Sequence, residues 1–204
     1  MPQARFAAAC GAAAAAIATL LYYGGPPGVD LPSHVFQTWL YAHAGFNLWN
    51  NYWYAGRYEF VTYSVLYYPV ASAIGQALAT AVAAAVLAGS FASISRREWG
   101  SAATGPSVTF AVTAPFILMV GGLYPFLAGA AAGGVALVCI HRRWKAGFGL
   151  AVLATLGFSP LAFALLIALL AAALLGQPRP SAALRSHRAA YEAPQRLATL
   201  ARRG

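Results

Sequence analysis

Charge is what this chain has least of. Only 8% of its 204 residues are Asp, Glu, Lys or Arg, where a water-soluble domain carries about 25%. With 60% hydrophobic residues, such a chain cannot cover a surface in water, and a soluble globular enzyme is excluded. Acid is scarcer still. Asp30, Glu59, Glu98 and Glu192 stand against thirteen Lys and Arg, a formal charge of +9. Cysteine is nearly missing. Cys10 and Cys139 both fall inside apolar runs and read as packing residues rather than a disulfide or metal pair. The motifs of soluble catalysis are missing too: there is no Gly-rich phosphate loop ending in Lys-Ser/Thr, no HExxH and no CxxC.

What is present is a succession of apolar runs rich in Ala, Leu, Val and Gly. The expected fold is all-α: a polytopic integral membrane protein of about six transmembrane helices occupying residues 1–176, with membrane lipid as solvent. The runs are residues 6–23, 67–92 (starting at Tyr67 or Val70), 108–122, 126–140, 147–158 and 161–175. The start, MPQARF before an Ala-rich run, has features of a signal peptide. An uncleaved first span is preferred, because the run continues to Tyr23 and other spans follow. Pro115 is expected to kink the third span, and Tyr124-Pro125 to form a tight turn. Residues 147–158 are short for a crossing and stop at Ser159-Pro160. Gly129 and Gly133 have the spacing of close helix packing.

Basic residues mark the ends of these runs, so the charge excess reads as membrane topology rather than nucleic-acid binding. With six spans, Arg5, the Arg96-Arg97 junction, the run from Arg142 to Lys145 and the tail share one side. Twelve of the thirteen basic residues are then cytoplasmic and only Arg57 is outside. The expectation is a multi-pass protein of the cell membrane, with both termini cytoplasmic. Residues 177–204 change to a Pro- and Arg-rich composition, expected to be a disordered or membrane-surface tail without a catalytic role.

The loop of residues 25–66 is the exception to the apolar monotony. It holds Asp30, Glu59, His34, His43, Arg57, three Asn and a dense set of Trp and Tyr. Asp30 stands at an N-cap position with Pro32 behind it, and a helix is expected from there to about Ala44. His34, Gln37, Thr38 and Tyr41 give it a polar face, with Val35, Trp39 and Ala42 on another, so it should lie along the membrane surface. Gly45 should end it. Asp30 and His34 are an i, i+4 acid–imidazole pair. That spacing suits a metal or a tuned base, and equally a helix cap beside an interfacial polar residue. Trp and Tyr in residues 47–57 fit an aromatic belt, which does not account for the clustered Asn, His and acids.

The order of these features is a first span, Asp30, an aromatic helix bearing His34, then LWNNYWYAGRYEFVTYSVLYYP and a second span. Over about residues 5–95 it resembles the start of GT-C-type integral-membrane glycosyltransferases. It is especially similar to bacterial multispan membrane proteins described as related to 6-pyruvoyl-tetrahydropterin synthase, a label from which no pterin chemistry is inferred. The resemblance implies transfer of a sugar from a polyprenyl-phosphate donor on the extracytoplasmic face of the cell envelope. It places the catalytic acid on Asp30, while His34 matches a D-x-x-x-H form. Glu59 is a candidate second acid and Arg57 a candidate phosphate contact. Trp49, Asn50, Trp53 and Tyr58 are candidate substrate contacts. A divalent cation, Mg or Mn, at Asp30 and His34 is left open.

GT-C enzymes are generally longer, so the chain reads as an N-terminal portion of one, a truncated product, or half of a two-chain enzyme with a partner membrane subunit. Two other classes compete: a non-catalytic membrane subunit or scaffold, and a transporter. The spans carry essentially no ionisable residue, which disfavours the transporter.

Overall fold

A computed structural model describes residues 3–52, 55–58 and 60–176. They are overwhelmingly helical. The helices are α1 (Gln3–Gly24), α2 (Leu31–Ala44), α3 (Tyr67–Ile74), α4 (Gln76–Trp99), α5 (Thr104–Val120), α6 (Tyr124–His141), α7 (Lys145–Phe158) and α8 (Pro160–Leu175). A 3-10 turn, Gly100–Ala103, joins α4 to α5. The elements up to Leu166 form one compact unit, and a second begins at Ile167. The described part of the second unit is the remainder of α8 and Gly176. The tail from residue 177 on, with the expectation placed on it, lies outside the described residues.

Three helical stretches are long and apolar enough to cross a membrane: Gln3–Gly24, Gln76–Val120 and Tyr124–His141. The middle one, 45 residues long, contains α4 and α5. α7 and α8 are apolar but shorter. At 1.5 Å per residue, the 14 residues of α7 cover about 21 Å, short of a hydrocarbon core of roughly 30 Å. Span length and composition thus support membrane insertion through three stretches, not a count of six.

α1, α4, α5, α6 and α7 run alternately between two ends. Gln3, Arg97 and His141 line one cavity at what we term the basic end. At the opposite end, Tyr22 of α1 reaches Gln76 of α4, and the α5–α6 turn meets the segment before α2. Small residues allow this packing. A Cβ on Gly11 would stand 2.9 Å from the Ala85 carbonyl oxygen, where α1 crosses α4. A Cβ on Gly129 would stand 2.7 Å from Ser159 Cβ, so half of the Gly129/Gly133 spacing is a true close approach. Cys10 and Cys139 are buried free thiols, as expected for packing residues.

Two boundaries differ from expectation. The second run does not begin at Tyr67 or Val70 as one span. Gly75, at φ 84°, breaks it into α3 and α4, and α4 continues through Arg96 and Arg97 to Trp99. Tyr124-Pro125 is not the turn; Pro125 sits in the first turn of α6, where its missing N–H is harmless. The turn falls on Gly121-Gly122, with Gly122 at φ 74°. Pro115 lies inside α5, which is helical on both sides of it.

The loop contains a structure that composition did not announce. Trp49–Asn50 and Phe60–Val61 pair antiparallel as strands β1 and β2. The chain returns between them through Ala55 and Gly56, both at positive φ.

Candidate functional site

Helix α2 forms as expected, with Gly45 at φ 72° ending it and donating to the Tyr41 carbonyl. Its orientation is the reverse of a surface helix in water. His34, Gln37 and Leu40 are buried, while Val35 and Trp39 are exposed, Trp39 by 53%. A protein in lipid gains by turning its polar stripe inward, where partners exist, and its apolar stripe outward.

His34 is the centre of this stripe and is 7% exposed. Three tyrosine rings surround it: Tyr67 at 6.2 Å, Tyr68 at 6.0 Å and Tyr124 at 5.9 Å between centroids. Its Nδ1 stands 3.1 Å from the Tyr68 hydroxyl. Burial pushes the imidazole pKa below its ordinary value, and the Asp30 charge and the Gly122 backbone oppose that shift. The neutral ring has one donor and one acceptor nitrogen. A ring that donates to the Gly122 carbonyl accepts the Tyr68 hydroxyl at Nδ1.

Asp30 occupies the N-cap position of α2, but its side chain makes no cap hydrogen bond. The first turn is held by other bonds. The Ser33 hydroxyl and the His34 N–H donate to the Asp30 backbone carbonyl, and the Leu31 N–H donates to that of Gly28. Asp30 is exposed. It is also pressed against another element. The Val29 N–H donates to the Val120 carbonyl at 3.3 Å, and a Cβ added to Gly122 would run into the Asp30 backbone nitrogen. Glycine at residue 122 therefore serves both its left-handed backbone and the approach of Asp30.

Behind Tyr68 the site continues toward the hairpin. Gln37, Asn47, Thr62, Ser64 and Tyr68 line a cavity of about 10 Å³, room for roughly one water. Gln37 is 3% exposed and its Nε2 has no hydrogen-bond partner among the described residues. The Thr62 hydroxyl donates to the Asn47 carbonyl across the base of the hairpin. Ser64 Oγ accepts the Tyr67 N–H at 2.9 Å and donates to the Gly157 carbonyl at 3.3 Å. The Val65 and Leu66 N–H groups reach the same carbonyl, and the Tyr63 and Ser159 hydroxyls meet at 2.8 Å. The break between α7 and α8 thus anchors the segment that leads from hairpin to α3.

The structure brings Asp30 and His34 together, and adds Tyr68, Tyr67, Tyr124 and Gly122, which sequence reasoning missed. The Tyr67-Tyr68-Pro69 run was legible only as part of an aromatic framework. Trp49, Arg57 and Tyr58 are exposed on the hairpin. Asn50 is instead buried, and neither of its side-chain polar atoms has a hydrogen-bond partner among the described residues. Glu59 and Trp53 lie outside the described residues. No group of three or more His, Cys, Asp and Glu side chains assembles among the described residues. A Mg or Mn ion, which favours several oxygen ligands, finds one described carboxylate in this loop, Asp30. Asp30 alone does not supply that ligand set.

No family model, no curated protein and no solved structure matches this chain.

Proposed function

We propose that the chain is a membrane-embedded glycosyltransferase of GT-C-like type, or a portion of one, acting at the end where Asp30 lies. The observation behind this reading is the state of Asp30. It is an exposed carboxylate at a helix start that it does not cap, backed by a buried imidazole and a tyrosine hydroxyl. A carboxylate that serves no bond of its own helix is available to a substrate.

Asp30 accepts the proton of an acceptor hydroxyl. The acceptor oxygen bonds to the anomeric carbon of the sugar, and the bond from that carbon to the donor phosphate oxygen breaks. The polyprenyl phosphate leaves with the electron pair. His34 does not reach substrate; it is a positioning residue whose neutral ring ties α2 to Tyr68. Arg57 on the exposed hairpin suits the donor phosphate, since guanidinium offers paired donors. Trp49 and Tyr58 suit a sugar face. Both termini are cytoplasmic in this reading, which puts the loop end on the extracytoplasmic face.

The test is turnover. The purified chain in nanodiscs is incubated with a panel of polyprenyl-phosphate sugars and candidate acceptors, and products are read by mass spectrometry. Transfer or slow hydrolysis of one donor is the expected result. A folded protein that turns over none of them overturns the reading and favours a non-catalytic membrane subunit.

A further inference from the structure

The basic end holds a second site, unrelated to Asp30. Two junctions that looked like topology markers in the sequence close on each other there. α1 begins, α4 ends and α6 ends around a cavity of about 300 Å³, lined by Gln3, Ser93, Arg97, Val138, His141 and Arg142. That volume is at the lower end for small-molecule sites.

The chemistry of the wall is directional. Arg97 belongs to the last turn of α4 and His141 to that of α6. Arg142 is the C-cap residue of α6. The two helix ends carry partial negative charge, which favours cations at these positions. One carboxylate is nearby and it is engaged: Glu98 Oε1 stands 3.5 Å from His141 Nδ1. The neighbouring Arg96 turns away from the cavity; its guanidinium lies 4.4 Å from the Phe6 ring centroid and donates to Thr104. Arg97 and Arg142 have no carboxylate within 4.0 Å among the described residues, and both line the cavity. Gln3 is fixed beside them by donating to the Ser93 carbonyl at 2.9 Å. Ala4, Ile94 and Val138 complete the wall with apolar surface.

We infer that this cavity binds a phosphate group, and that the group is the headgroup phosphate of an anionic membrane lipid. Two guanidinium groups offer paired N–H donors to phosphate oxygens. The apolar part of the wall suits the glycerol and the first acyl carbons rather than a fully hydrated free anion. The site lies where the apolar helices end, the level at which lipid headgroups stand.

The experiment is native mass spectrometry of the full chain released from micelles containing equal phosphatidylglycerol and phosphatidylcholine. The wild type is expected to retain phosphatidylglycerol in preference by about tenfold. Arg97→Gln with Arg142→Gln should abolish that preference, while Arg143→Gln, outside the cavity, should keep it. Arg97→Lys with Arg142→Lys should restore part of it, which separates charge recognition from a folding defect. A wild type without preference overturns the proposal, as does a Gln double variant that keeps it. Inorganic phosphate is the second arm. If it binds to the wild type with phosphatidylglycerol showing no advantage, the lipid assignment is overturned.

Discussion

The imidazole of His34 and the hydroxyl of Tyr68 meet at 3.1 Å across 34 residues of sequence. This bond fastens the loop helix α2 to the short helix α3 inside a ring of tyrosines. It makes the loop a packed part of the structure at this point, and the Asp30 charge is felt by both groups.

Replacing Tyr68 by Phe deletes one hydroxyl and leaves the His34 Nδ1 without that partner. An unmade bond of this kind at a buried polar group costs about 1–3 kcal/mol. The variant should show that loss in thermal or denaturant unfolding in detergent. Tyr52→Phe, on an exposed residue of the same loop, should fall within about 0.5 kcal/mol of the parent.

Acid should weaken the fold through His34. Its folded pKa lies below the ordinary value of 6.5 because burial disfavours the charged ring. Below that value the unfolded chain binds the proton that the folded chain resists. The contribution is therefore complete above pH 6.5 and is lost as pH falls toward the lowered folded value. Unfolding midpoints measured from pH 8 to about pH 5 should decline, and His34→Gln should flatten that slope. An unchanged slope contradicts the assignment to His34.

Glycine at residue 122 is required twice, by its φ of 74° and by the Asp30 backbone against it. Gly122→Ala should cost about 1–3 kcal/mol and should lower transfer as well, because it displaces the start of α2. Gly149→Ala is the comparison, since a Cβ there meets nothing within 4 Å. Unfolding and turnover of the two variants check both halves of the expectation.

The orientation of α2 is open to a labelling test. Cysteines placed at Val35 and Trp39 should react with a membrane-partitioning maleimide, and one at Gln37 should not. Reversed labelling would mean that the polar stripe faces outward.

Much of this architecture was legible from composition. Low charge, long apolar runs and basic junctions pointed to membrane helices, and the runs ending at Tyr23, Ile140 and Leu175 correspond to α1, α6 and α8. The limits of α2 followed from Asp30, Pro32 and Gly45. Its orientation did not, because a stripe of His34, Gln37 and Tyr41 reads as solvent-facing until partners from distant segments are known. Tyr68 and Tyr124 surround His34, and their distance in sequence hid them. The split at Gly75 was obscured by the largely apolar run around it, since hydropathy records burial and not the sign of φ. The β1–β2 hairpin, only two residues per strand, is too short for a period-two pattern to show. The Asp30–His34 pair was visible at its i, i+4 spacing, but whether Asp30 capped its helix was a question of side-chain geometry.

That geometry gives the most direct test of the account, which is Asp30→Asn measured for stability and transfer together. The Asp30 side chain makes no cap hydrogen bond, and Asn suits an N-cap position as well as Asp does, so the substitution should cost little stability. A carboxylate acting as general base should take with it about 10²–10⁴-fold in kcat. The predicted result is an unfolding midpoint close to the parent and transfer reduced to that degree. Full transfer by Asp30→Asn, with or without a change in stability, would contradict the central claim.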